Sequence, residues 1–182
     1  MNKQKIILYV LTIIILFSLP IATIIVSTDT LKDGREFLFK VEAFDPYDMF
    51  RGNYLNINFK EQEVEGIYQK EGEYGDIFFV TINERDDGFA YFSDINTKKP
   101  NDTSDYYITR AYYRSYAETY DIDTPTRYYM NENKSLDAEK IYEENIDNTY
   151  VKVRVKDGKM VIVGVYVDDV LIDTIEPIKE SK

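Results

Sequence analysis

The chain has 182 residues, 22 Lys and Arg against 33 Asp and Glu, and no His, Cys or Trp. Without His or Cys there is no imidazole base, no Ser-His-Asp or Cys-His nucleophile, no disulfide framework and no Cys-based zinc site. The formal charge of −11 argues against nucleic acid as a partner, because binding a phosphate backbone needs clustered Lys and Arg.

The first element is apolar. Ile6 to Val26 runs 21 residues without a charge, and a helix of that length spans about 30 Å, the thickness of a bilayer's hydrocarbon core. Thr12, Ser18 and Thr23 can bond back to the preceding turn, and Pro20 is tolerated in a membrane helix. Lys3 and Lys5 precede the run, whereas Asp29 follows it and the next cation is Lys32. The positive-inside rule then puts the N-terminus in the cytoplasm and the remaining chain outside as a single-pass protein. A cleavable signal peptide is the competing reading. The run is longer than a signal h-region and its best cleavage point, around Pro20-Ile21-Ala22, is poor, so the uncleaved anchor is favoured. The helix is expected to continue to Asp33, with Gly34 just past its end. Setting Lys3 and Lys5 aside leaves 20 positive against 33 negative residues, a net of −13, so anionic headgroups should repel the outside part, which is expected to stand off the surface rather than lie on it. Residues 1–34 form the cytoplasmic tip and anchor, and 35–182 the extracytoplasmic domain.

That domain reads as short strands punctuated by turns, consistent with 17 Tyr and 10 Phe. Glu36 to Phe44 alternates Phe37, Phe39, Val41 and Ala43 on one face, the period of a half-buried strand. Tyr54 to Phe59 alternates Leu55, Ile57 and Phe59 against Asn56 and Asn58, again one strand. Asp76 to Asn83 and Gly88 to Ile95 flank an Asp-Asp-Gly turn, a hairpin signal. Asn96 to Asp105 is a polar loop. Val151 to Val155 and Met160 to Val167 flank Asp157-Gly158, a second hairpin, and Val170 to Ile175 is a candidate last strand. One short surface helix is expected over Leu136 to Glu143 with Ser135 as its N-cap. The fold class is therefore a single transmembrane helix followed by a small, mainly-β (α+β) domain of antiparallel hairpins.

The stretch with the most information is Asp45 to Phe59, DPYDMFRGNYLNINF. Asp45-Pro46 opens a turn, and Arg51-Gly52-Asn53 forms a tight entry to the next strand. Asp45, Asp48 and Arg51 are close enough in sequence for an ion pair or a backbone-bonding network, with Phe50 and Tyr54 on either side. This run resembles the GDYxxLxY motif family of membrane-anchored bacterial proteins. The pattern there is Asp-Pro-x-Asp-x-Phe-Arg, then Gly-Asp-Tyr-x-x-Leu-x-Tyr. Here Asp45, Pro46, Asp48, Phe50, Arg51, Gly52 and Tyr54 keep it, and Asn53, Ile57 and Phe59 replace Asp, Leu and Tyr. A second block, Thr126 to Asn133 with Tyr128, Tyr129 and Glu132, sits where the family has a Tyr/Phe-rich segment before a short helix. Asn131 and Asn133 replace Pro and Gly there. The resemblance implies one membrane helix, one outside domain and no assigned activity. Family members are often encoded beside polytopic membrane proteins, which implies a membrane partner of that kind.

Bland readings stand beside the sharper ones. Asp45, Asp48 and Arg51 suit a turn held by side-chain-to-backbone bonds, or an exposed binding loop. The tyrosines from Tyr106 to Tyr129 suit a strand pair with one aromatic face inside, or a recognition surface. The acidic pairs Asp86 with Asp87, Asp121 with Asp123, and Asp168 with Asp169 lack EF-hand spacing and read as solvated charge. No metal and no cofactor is expected. The function that fits is a binding or assembly module working with another membrane or envelope protein. The alternative is a membrane-bound hydrolase, using paired carboxylates or a signal-peptidase-like Ser-Lys pair for which Ser27 is the candidate serine.

Overall fold

The structure is a computed structural model that describes residues 3–43, 54–65, 76–100 and 105–175. The apolar run forms α1, Lys3–Asp33, with Pro20 inside it. Its most apolar 18-residue stretch has a mean hydropathy of 2.6, and its side chains from Ile6 to Val26 lie outside the protein core. Thr12, Ser18 and Thr23 donate to carbonyls three or four residues back, so these three hydroxyls are satisfied within the helix. A helix of this length and hydropathy suits a single membrane pass, and a signal sequence passes the same test.

The chain turns from helix to strand in one residue. Gly34 donates to Thr30 O at 2.9 Å, and a Cβ at Gly34 would sit 2.4 Å from that carbonyl and 3.1 Å from Arg154 Cβ. β1, Arg35–Glu42, starts immediately afterwards. It buries Phe37, Phe39 and Val41 as its alternation dictates, while Ala43 falls beyond the strand and is exposed.

Tyr54 to Phe59 departs from expectation. It divides into β2, Tyr54–Asn56, and β3, Asn58–Phe59. The two pieces keep one inward face, Leu55, Ile57 and Phe59, but pair with different partners on either side of Ile57. β4 is Glu63–Glu65, β5 Ile77–Glu84 and β6 Ala90–Asn96. Next come β7, Tyr106–Arg114, β8, Thr119–Ile122, and β9, Arg127–Tyr129. The helix α2 spans Glu132–Glu144. Ser135 is thus inside it rather than capping it, and the Lys134 N–H bonds Asn131 O across the first turn. Ala138 and Tyr142, one turn apart, are both 2% exposed, so one face of α2 belongs to the core. The chain closes with β10, Thr149–Lys156, β11, Lys159–Val167, and β12, Val170–Leu171. The expected last strand stops at Leu171, where Ile172–Thr174 turns as a 3-10 helix and buries Ile172.

Both expected hairpins form, β5 with β6 and β10 with β11, and every pairing between the named strands is antiparallel. One five-stranded sheet has the order β12-β11-β10-β1-β3, a second β4-β8-β7-β5-β6, and β2 with β9 makes a ribbon belonging to neither. The two sheets share one buried cluster. Phe39 of β1 stacks on Phe92 of β6 at 4.9 Å between centroids, and Phe59 meets Phe39 edge-on at 5.3 Å. At the rim Arg35 bonds Glu84 and Asp105, both at 2.5 Å, and Lys40 bonds Asp87 at 2.8 Å. These pairs are exposed and contribute little energy beside the aromatic core.

Candidate functional site

The fold brings the two motif blocks, some seventy residues apart in sequence, into one ribbon. Tyr54 lies opposite Tyr129, Leu55 opposite Tyr128 and Asn56 opposite Arg127. The Ile57 N–H bonds Thr126 O at 2.8 Å and extends the pairing by one step. Tyr54 and Tyr129 meet edge-on at 5.8 Å, and the Arg127 guanidinium lies over the Tyr54 ring at 5.1 Å. Tyr129 remains 69% exposed. The ribbon therefore presents a patch of two tyrosines and an arginine.

Period-two alternation sends the neighbouring residues the other way. Leu55, Ile57 and Phe59 are each 2% exposed or less, so Ile57 and Phe59 pack the core beneath the ribbon. Tyr128 is half-buried and donates its hydroxyl to Asp173 at 2.5 Å; Lys134 of α2 reaches the backbone carbonyl of the same residue, also at 2.5 Å. Burial raises the Tyr128 phenol well above the usual range, and the adjacent Asp173 carboxylate adds to the shift. Glu132, also in this block, is the first residue of α2. The other motif residues, Asp45, Pro46, Asp48, Phe50, Arg51, Gly52 and Asn53, lie outside the described residues.

The edges of that motif segment are held by neighbours. On its N-terminal side, the buried Tyr142 of α2 donates to Glu42 O at 2.9 Å, at the last residue of β1. Burial pushes the Tyr142 phenol up to about 12, and the Glu42 charge adds to the rise. An unfolded phenol titrates near 10. The folded state thus holds this proton more tightly, so the stability is intact below pH 10 and falls as pH rises from 10 toward 12. In thermal melts across this range, Tyr142→Phe should reduce the alkaline loss by on the order of 2 kcal/mol. An alkaline limb identical to that of the parent would mean the phenol is solvated.

One recess adjoins the ribbon and another lies by β3, β4 and β8. The first, about 340 Å³, is lined by Ser27 of α1, Pro125, Arg127, Tyr128, Tyr129 and β11 residues Lys159 to Ile162. Sequence reasoning missed its β11 wall, because hairpin strands carry no signal of what packs across them. Ser27 and Lys159 line this same groove but form no hydrogen bond with each other, and Lys159 is exposed. A Ser-Lys dyad needs a desolvated amine beside the hydroxyl.

The other recess, about 500 Å³, is polar and gathers Glu42, Glu61, Glu63 and Asp121 with Asn58, Gln62 and Arg114. Each carboxylate already has a partner. Arg114 bonds Glu63 at 2.8 Å and also Asp121, Arg85 bonds Glu61, and the Asn58 amide bonds Glu42 at 2.6 Å. This is the pattern of a structural ion-pair network, and it leaves no unengaged carboxylate pair there for general acid–base work. Among the described residues no group of three or more acidic side chains is placed to hold a metal ion.

With this geometry in hand, comparison with known proteins gives one match: the family model described as GDYXXLXY protein covers residues 16–165. The chain belongs to the GDYXXLXY family. Searches among curated proteins and among solved structures found no match. The run that resembles the family's naming motif is Gly52 to Phe59. In this GDYXXLXY protein its Tyr is Tyr54, on the ribbon surface, while Ile57 and Phe59 at its last two positions are core residues.

The structure adds a third feature of the site, the junction of helix and sheet. Arg154 on the outer face of β10 donates to Leu31 O at the end of α1 and to Glu36 at 3.3 Å. Lys156 pairs with Asp29 at 2.8 Å and reaches Asp33 at 3.5 Å. Cations beside the last carbonyls complement the helix dipole. The sequence signal was available in Lys152, Arg154 and Lys156, which alternate with buried valines along β10.

Proposed function

We propose that this GDYXXLXY protein is a membrane-anchored, extracytoplasmic binding and assembly module that engages another membrane protein through its ribbon and the adjoining motif segment. The observation that carries this reading is the ribbon itself. Both motif blocks meet there, apart from the two sheets, and leave Tyr129 mostly exposed beside Tyr54 and Arg127. Exposed tyrosines and arginine are the side chains that supply rigid contact area in protein interfaces. The anchor is retained in this reading, with Lys3 and Lys5 on the cytoplasmic side. The one-residue link at Gly34 and the grip of Arg154 and Lys156 on α1 favour a domain held at a fixed attitude near its helix.

Photo-crosslinking in native membranes tests the proposal. The parent chain should give a discrete heteromeric adduct with a membrane protein. Tyr129→Ala combined with Arg51→Ala should reduce its yield about 10-fold, the effect of losing a pair of interface anchors, and Tyr129→Ala alone, at an exposed residue, should leave the melting temperature unchanged. Recovery of the chain alone, or an undiminished adduct in the double variant, would end this reading.

A further inference from the structure

The groove between α1, β9 and β11 sits at a particular level of the molecule. Ser27, which lines it, directly follows Val26, the last residue of the apolar run. If α1 spans a bilayer, the groove opens where hydrocarbon gives way to headgroups. Its side chains suit that level. Arg127 and Lys159 are exposed cations, and among the described residues neither is paired with a carboxylate. Arg127 instead lies over the Tyr54 ring. Tyr128 and Tyr129 add amphipathic rings of the kind enriched at membrane interfaces. Val161 and Ile162 are half-buried on one wall, and the exposed Ile24, Ile25 and Val26 of α1 continue the apolar surface toward the membrane.

From this arrangement we infer that the groove binds the headgroup of an anionic membrane phospholipid. Its phosphate accepts hydrogen bonds from Arg127 and Lys159, and one acyl chain lies along Val161, Ile162 and the adjoining face of α1. The inference goes beyond the assembly of a protein complex and rests on the membrane anchor of the proposed function. The acidity of the domain does not oppose it, because headgroup charge acts over about a Debye length, roughly 10 Å. Within the neighbourhood of the groove, Asp29 and Asp33 are occupied by Lys156, and Asp157 acts on Lys99. The polar cleft of 500 Å³ does not offer the same chemistry, since its arginine is held by Glu63 and Asp121.

The test uses the full chain, purified in detergent from membranes and examined by native mass spectrometry with phosphatidylglycerol or phosphatidylcholine added. One phosphatidylglycerol should be retained in preference to phosphatidylcholine, and retention should weaken as salt is raised. Arg127→Gln with Lys159→Gln should lower retention about 10- to 30-fold, as removing two interfacial cations implies. Both side chains are exposed, so circular dichroism and the melting temperature should stay those of the parent. Equal retention of the two lipids, or parent-like retention by the double variant, overturns the inference. Displacement by inorganic phosphate at matched concentration also overturns it, by marking a site for soluble phosphate. The crosslinked adduct of the assembly reading is scored separately, with Tyr129 and Arg51, so either idea can fail alone.

Discussion

Replacing Phe59 by Ala is expected to lower the stability of the domain by about 3–5 kcal/mol, the range for truncating a buried aromatic. Phe59 is 1% exposed and packs edge-on against Phe39, which in turn stacks on Phe92 of the other sheet. Removing its ring therefore leaves a void at the start of an aromatic chain that joins β3, β1 and β6. Phe59→Leu keeps most of the volume and should cost less than half as much. Chemical or thermal unfolding of the detergent-solubilised full chain measures both. A loss below about 1 kcal/mol for Phe59→Ala would show that the site collapses freely and that the ring does not join the sheets. The contrast with Tyr129, which lies on the motif ribbon and is exposed, separates packing from recognition. Its truncation should leave unfolding unchanged while affecting capture of a partner.

A second large effect is expected at Gly158. This residue closes the β10–β11 turn with φ +78°, following Asp157 at +49°. Its carbonyl accepts from the Ile108 N–H at 2.8 Å, so the turn docks on β7 of the other sheet. A Cβ here would lie 2.3 Å from Ile108 Cγ1 and 2.5 Å from Ile108 Cδ1. Gly158→Ala thus combines a left-handed backbone with an overlap against a branched side chain. Together these should cost about 2–4 kcal/mol. Combining it with Ile108→Ala should recover part of that loss, because the overlap goes while the backbone strain remains. If the double variant simply sums two independent losses, the turn is not pressed against Ile108.

Much of the fold is legible in the order of residues alone. The charge-free, mainly apolar run of 21 residues from Ile6 to Val26 declares a helix, the one single-segment arrangement that satisfies every backbone group in an apolar setting. The Asp-Gly turns declare their hairpins, since φ > 0 after a tight turn is a local property. The alternation through Phe37, Phe39 and Val41 declares an inward face, and the motif residues declare the family. Local signals fail where partners decide. Tyr54 to Phe59 keeps perfect alternation yet serves two partners, β9 and β1, and nothing local in the stretch marks the break at Ile57. Ser135 looks like a cap by type, but α2 begins three residues earlier because Tyr142 and Ala138 find core to face on the same stripe.

What the sequence determined by itself was therefore the long apolar helix, the antiparallel hairpins and membership of the GDYXXLXY family. These depend on hydropathy, turn chemistry and motif order, which are written locally along the chain. Only the tertiary structure decided that the two motif blocks pair strand to strand, that Ile57 and Phe59 turn inward while Tyr54 and Tyr129 share the ribbon surface, and that Ser27 and Lys159 line one groove. Those are contacts between residues dozens of positions apart. They are set by sheet order and by the grip of Arg154 and Lys156 on the helix end, and no period or spacing in a single sequence encodes them.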